Sequence, residues 1–169
     1  MSRVRALAAY GGLGLPLAMA ALPVYVQAPA YYAGTLGLPL ATTGVVLFAA
    51  RLVDTVQDPW LGRWIDRLAG ADRLHGVLWV AAAGLALGFA GLWLPPVQGG
   101  LLAAWLATML VLVYTCHSLL QITHLAWGAR LGGLPTVTRA AAWREGLGLA
   151  GVLGASVVPA WVLQPGAAQ

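Results

Sequence analysis

The chain has 169 residues, of which 60% are hydrophobic and only 8% are charged. A soluble domain of this size carries about 25% charged residues, so the composition excludes a soluble enzyme, a disordered tail and a secreted scaffold. The formal net charge of +4 comes from arginines spread far apart, which does not suit a nucleic-acid-binding face. The composition instead predicts an all-α, polytopic protein whose main partner is the lipid bilayer.

Charged residues divide the chain into three uncharged stretches, at 6–50, 74–129 and 146–169. A helix needs about 20 apolar residues to cross a bilayer, so the first two stretches are each long enough for two helices and the last for one. Turn-forming residues at 33–39 and 94–100 split the first two stretches. The sequence therefore predicts one transmembrane bundle over 1–169, with five helices at about 7–31, 40–64, 74–94, 100–127 and 139–162.

The arginines that flank the predicted helices all lie on one side of the bundle. They precede the first helix and lie after the second and fourth helices, whereas the other turns and the C-terminal tail carry none. By the positive-inside rule, this predicts a multi-pass protein of the cell (inner) membrane with a cytoplasmic N-terminus.

The first predicted helix contains three prolines, Pro16, Pro23 and Pro29. Each removes a backbone donor and tends to kink the helix. Bent helices are common where a membrane protein moves or lines a cavity, but prolines are also more frequent in membrane helices generally. The sequence leaves both interpretations open.

The second predicted helix contains three charges, Arg51, Asp54 and Asp58, whose spacing places them on one stripe. A charge near the bilayer centre costs roughly 3 kcal/mol, so this stripe must face protein or water. Two acids against one arginine leave a negative charge that takes up a proton or binds a cation. We therefore predict a cation-coupling site formed by Asp54 and Asp58, with Arg51 as charge partner and Gln57 and Thr55 as further ligands. The alternative is a structural Arg51–Asp54 salt bridge with a hydrated Asp58 near the interface.

The segment after this stripe resembles the loop 2–3 signature of the major facilitator superfamily. Its pattern G-x-x-x-D-R, followed by a further basic residue, is supplied by Gly62, Asp66, Arg67 and Arg73. In that superfamily the loop latches the cytoplasmic gate, and the resemblance implies the same role for these four residues.

Taken together, the motifs resemble those of the glycoside–pentoside–hexuronide:cation symporter family, the melibiose permease-like branch of that superfamily. The stretches that carry the resemblance are 10–14, 50–59, 122–129 and 138–145. The resemblance implies a secondary active transporter, not an enzyme, that moves a sugar-like small solute together with a cation by alternating access. It assigns the coupling Na⁺ or H⁺ to Asp54 and Asp58, and it implies no cofactor and no other metal.

The resemblance also implies a set of substrate-lining residues. Trp127 matches a helix 4 tryptophan that borders the sugar, and Arg144 matches a helix 5 arginine near it. Without the resemblance they would be interpreted as an interfacial aromatic and a positive-inside anchor. Thr123 and His124 offer neutral polar contacts, and Tyr10 opens the first helix.

The sequence departs from the family in two respects. The acids expected in helix 1 and four residues before Trp127 are absent, since residues 15–18 are uncharged and Thr123 stands at the second position. These departures put a melibiose-like sugar in doubt and leave an amphiphile such as a lysolipid open. Five helices are also fewer than a six-helix half, and a transporter needs two halves. We expect an N-terminal fragment whose partner is a missing C-terminal half or another chain. The alternative is a non-transporting assembly subunit or a truncated remnant.

Overall fold

The computed structural model describes residues 3–69 and 73–162, and all regular elements within these ranges are helical. The α-helices are α1 (Arg3–Gly11), α2 (Gly14–Leu22), α3 (Ala28–Ala30), α4 (Leu40–Ala69), α5 (Leu74–Trp93), α6 (Leu102–Gly128) and α7 (Leu134–Val162). Two π-helical segments, Pro23–Gln27 and Tyr31–Thr35, flank α3, and a 3₁₀ turn, Gly99–Leu101, precedes α6. The predicted all-α class is confirmed.

Four helical stretches of the described chain are long and apolar enough to cross a membrane. They are Arg5–Thr35, Leu40–Leu68, Leu74–Trp93 and Gly99–Gly128. This confirms a polytopic membrane protein. α7 is not among the four and contains Arg139, Arg144 and Glu145 in its first half, so its crossing of the membrane stays a prediction.

The first span departs from regular α-geometry where its prolines lie. A π-helical segment begins at Pro23, and a second one, Tyr31–Thr35, follows Pro29. Proline cannot donate to the carbonyl four residues earlier and its ring clashes with it, so a locally wider turn accommodates the residue. The turn into α4 then uses Gly37, whose φ of +75° suits glycine best.

The chain divides into two compact units. The first combines the N-terminal segment up to Val26 with the segment from Gly128 onward, and the second comprises Gln27–Trp127.

In the first unit, α7 packs very closely on α1 and α2, because glycines of one helix face backbone atoms of the other. A Cβ atom added to Gly11 would lie 2.8 Å from the carbonyl carbon of Trp143, and one added to Gly14 would lie 2.6 Å from the carbonyl oxygen of Arg144. A Cβ atom on Gly151 would overlap the carbonyl oxygen of Leu15. Small residues permit such backbone approach between membrane helices.

In the second unit, α5 also accepts side chains of α6 at its glycines. A Cβ atom on Gly88 would lie 2.9 Å from Cγ2 of Val113, and one on Gly84 would lie 2.6 Å from Sγ of Cys116. Gly84 and Gly88, which form a G-x-x-x-G motif, therefore lie in the packing interface between α5 and α6.

The C-terminal end of α5 is capped by three side-chain donors. The hydroxyl groups of Tyr31 and Tyr32 donate to the carbonyl oxygens of Trp93 (3.2 Å) and Leu92 (2.9 Å). Nε1 of Trp105 donates to the carbonyl oxygen of Gly91 at 2.8 Å. The last carbonyls of a helix lack intrahelical partners, so these bonds satisfy groups that would otherwise need water.

We expect the two tyrosine hydroxyls of this cap to contribute unequally to the free energy of unfolding. Tyr32 is fully buried, and Tyr32→Phe leaves the carbonyl of Leu92 without this donor. We expect a loss of about 1 kcal/mol in the free energy of unfolding, measured by thermal melting in detergent. Tyr31→Phe, whose bond is longer and only partly buried, is the comparison and should cost less. A larger loss for Tyr31→Phe would contradict this order.

Candidate functional site

The centre of the candidate site is the carboxylate of Asp54 on α4, which is only 4% exposed. Its Oδ2 accepts a hydrogen bond from Nη1 of Arg51 at 2.7 Å, an ion pair between residues three positions apart. Its Oδ1 accepts from Oγ of Ser118 at 3.0 Å and from Nε2 of Gln57 at 3.5 Å. Both carboxylate oxygens are therefore engaged. The Arg51–Asp54 salt bridge that the sequence left open as a structural alternative is present.

Two hydroxyls of α6 complete this cluster and were missed by sequence reasoning. Ser118 binds Asp54, and Oγ1 of Thr115 donates to Oε1 of Gln57 at 3.1 Å. The guanidinium of Arg51 also lies 5.9 Å from the ring centroid of Tyr114. The only sequence signal was a pair of hydroxyls three residues apart in an apolar helix, which places both on one face.

Asp58 lies one helical turn beyond Asp54 on the same helix. Its Oδ1 atom is buried and has no hydrogen-bond partner among the described residues. Thr55 is not part of the cluster, because its side chain is exposed and its Oγ1 donates back to the carbonyl oxygen of Arg51 at 2.9 Å. Four of the five predicted cation-site residues, Arg51, Asp54, Gln57 and Asp58, thus share one region of α4.

The predicted gate-loop residues lie mostly in a helix. α4 continues to Ala69, so Gly62, Asp66 and Arg67 are helical, whereas the sequence placed the helix end near residue 64. The extension is explained by Ile65, which is fully buried and packs with Leu74. Arg73 is exposed just before α5, and the intervening residues 70–72 of the signature lie outside the described residues.

The predicted substrate-lining residues fall into both units. In the first unit, Tyr10 is buried with Leu7 and Ala140, and Arg144 pairs with Glu145.

In the second unit, Thr123 and His124 on α6 are fully buried. Trp127 is 42% exposed, and its ring centroid lies 6.2 Å from that of His75. These three side chains share the C-terminal third of α6 and one side of it, but only Trp127 is exposed.

Within the described residues, no group of three or more His, Cys, Asp or Glu side chains gathers as a metal site. The oxygen atoms of the Asp54 cluster come instead from one carboxylate, an amide and two hydroxyls, and Asp58 lies one helical turn away on α4. Hard cations favour carboxylate and other oxygen ligands, so the chemistry of this donor set fits an alkali cation or a proton.

These features define a class: an α-helical, multi-pass membrane protein with a buried, hydrogen-bonded carboxylate, that of Asp54, between two of its spans. Over residues 7–168 the sequence matches the profile of the family described as MFS/sugar transport protein, and the chain belongs to that family. The expected major facilitator relationship is thereby confirmed. No curated protein and no solved structure matches the chain.

Proposed function

We propose that the chain forms the N-terminal part of a cation-coupled symporter that moves a small, sugar-like solute by alternating access. The branch of the family is the glycoside–pentoside–hexuronide:cation type. The coupling ion is Na⁺ or H⁺, and the protein acts in the cell membrane with its N-terminus in the cytoplasm. The family resemblance assigns the solute to Trp127, Thr123 and His124 in the second unit and to Arg144 and Tyr10 in the first.

The observation that carries the proposal is the buried, unpartnered Oδ1 atom of Asp58 beside an already satisfied Asp54. One arginine compensates two acids, so the cluster has an excess negative charge. Asp58 is half-buried, and leaving its buried Oδ1 atom without a partner is unfavourable; a proton or a bound cation relieves this cost. Whether a proton or a cation is bound at Asp58 then depends on the concentration of that ion, and coupled transport requires such a dependence.

The donor set favours an ion held between α4 and α6. Asp58 contributes a free carboxylate oxygen, while Gln57, Ser118 and Thr115 supply amide and hydroxyl oxygens within the same hydrogen-bonded network. An ion bound there competes with the hydrogen bonds that now hold the network. Binding therefore rearranges contacts between two spans, and this rearrangement connects the ion to the conformational cycle.

The proposal predicts that Asp58 carries the ion dependence of uptake. In vesicles containing the full-length protein, Na⁺ or proton gradients should accelerate solute uptake, and Asp58→Asn should reduce that acceleration at least about tenfold. Asp58→Glu keeps the carboxylate and should retain part of it. Solute exchange at equal concentrations needs no gradient and should persist in Asp58→Asn, which shows that the variant is folded. Unchanged ion dependence in Asp58→Asn would refute coupling at this site.

A second candidate is a membrane assembly subunit that transports nothing alone. It is favoured by the apolar surface of the spans, for example Phe48 and Val56 of α4, which are 66% and 67% exposed. Under either function we propose that further helices, from a C-terminal half or a partner chain, accompany this bundle. A stable complex with another membrane protein, together with no gradient-driven uptake, would support the subunit over the symporter.

A further inference from the structure

The C-terminal part of α4 has an exposed face whose residues take no part in the hydrogen bonds around Asp54. Trp60, Arg63, Trp64 and Arg67 are spaced i, i+3, i+4, i+7, which places them on one side of the helix. All four are exposed, with Trp60 at 68% and Trp64 at 46%. The fully buried Ile65 points to the opposite side. We call these four residues the aromatic–basic face.

An apolar groove on the same helix leads to this face from the middle of the span. It is shallow and wide open, with a volume of about 470 Å³, and all its lining residues lie on α4: Leu52, Val53, Val56, Gln57, Trp60 and Leu61. Along the helix the surface thus changes from aliphatic to a zone in which aromatic and basic residues alternate, ending at Arg67. This is the order of hydrocarbon, interface and phosphate in one leaflet of a bilayer.

The length of the surface also matches one leaflet. Val53 and Arg67 are 14 residues apart in α4, which corresponds to roughly 21 Å along the helix axis at about 1.5 Å per residue. Half of a bilayer including its headgroups is roughly 20–22 Å thick. A lipid whose acyl chain lies in the groove would therefore reach the arginines with its phosphate.

The guanidinium of Arg63 is held in place by its neighbours. Its Nε donates to the carbonyl oxygen of Pro59 at 3.1 Å, and its Cζ lies 4.9 Å from the ring centroid of Trp60. These contacts leave the Nη donors for a ligand. Within the described part of the chain, no carboxylate forms an ion pair with Arg63 or Arg67. Two positive charges one turn apart are thus complementary to a phosphate.

We propose that the aromatic–basic face and its groove bind an anionic glycerophospholipid from the leaflet at the C-terminal end of α4. Arg63 and Arg67 bind the phosphate, and the groove takes an acyl chain. A zwitterionic lipid binds less tightly, because its own positive headgroup charge opposes the two arginines. The inference requires that α4 crosses the bilayer and that this face of it contacts lipid rather than a further helix; it does not depend on cation coupling.

The test is lipid titration of the full-length protein in detergent, followed by native mass spectrometry. The probes are phosphatidylglycerol and phosphatidylcholine with identical acyl chains. Each arginine near an anionic headgroup contributes about a fivefold affinity change. We expect wild type to prefer phosphatidylglycerol by at least about tenfold, and the pair Arg63→Gln and Arg67→Gln to remove most of that preference. Trp60→Ala should weaken both lipids.

Arg130→Gln is the matched control, because Arg130 is an exposed arginine outside the aromatic–basic face. It removes the same charge and should leave lipid binding unchanged. An equal loss in Arg130→Gln would show that net charge alone attracts the lipid and would overturn the proposal. Equal binding of the two lipids to wild type would also overturn the proposal. Cross-linking of Val56→Cys to a protein helix in the groove would do the same. If the double variant does not fold, Arg63→Gln alone tests the same preference at about fivefold.

Discussion

Replacing Gly151 with leucine is expected to destabilise the first unit by about 3 kcal/mol or more. A Cβ atom at this position of α7 would overlap the carbonyl oxygen of Leu15 and lie 3.1 Å and 3.2 Å from its carbonyl carbon and Cα. These are backbone atoms of α2, so no side-chain rotation relieves the overlap and the helices must separate. The measurement is the melting temperature and the monodisperse yield of the protein in detergent.

Two further glycines of α7 serve as controls for this substitution. A Cβ atom added to Gly146 or Gly154 would meet nothing within 4 Å. Gly146→Leu and Gly154→Leu change the same helix by the same side chain, and we expect each to shift stability by no more than about 0.5 kcal/mol. If Gly154→Leu were as harmful as Gly151→Leu, helix propensity or insertion rather than the α2–α7 contact would be responsible.

Replacing Asp54 with alanine is expected to destabilise the second unit by about 2–3 kcal/mol. The substitution removes the acceptor of the buried Ser118 hydroxyl and of the Gln57 amide. The substitution also removes the ion pair that Asp54 forms with Arg51. Thermal melting in detergent measures the loss.

Asp66→Ala is the matched control, since Asp66 is an exposed acid of the same helix. It should change the free energy of unfolding by no more than about 0.5 kcal/mol. A double-mutant cycle of Asp54→Ala with Ser118→Ala should show a coupling energy of about 1 kcal/mol. Additive effects of the two substitutions would contradict the direct hydrogen bond between α4 and α6.

The helical, membrane-spanning character of the chain could be predicted from its sequence because it follows from local composition. Long uncharged stretches must be helical in a bilayer, since every backbone group needs a partner there. The stripe of Arg51, Asp54 and Asp58 could be predicted for the same reason, because helical spacing alone places them on one face.

The residues of α6 that contact this region of α4 could not be predicted from the sequence. Ser118 and Thr115 reach Asp54 and Gln57 only because α6 packs on α4 in one particular register, and a single sequence does not encode that register locally. Thr55 differs, because its hydroxyl donates to a carbonyl oxygen one turn back in its own helix, which is a local alternative to joining the cluster. The continuation of α4 to Ala69 depends on the burial of Ile65, which is also a tertiary effect.

The aromatic cap at the end of α5 has a mechanical consequence. Its donors, two tyrosines and one tryptophan, come from two separate segments and bind three consecutive carbonyls. Sliding α5 along its axis by one residue, about 1.5 Å, would break all three bonds together. A tilt of α5 together with these two segments would break none of the three bonds. The cap therefore opposes axial displacement of α5 relative to the segments that supply its three donors.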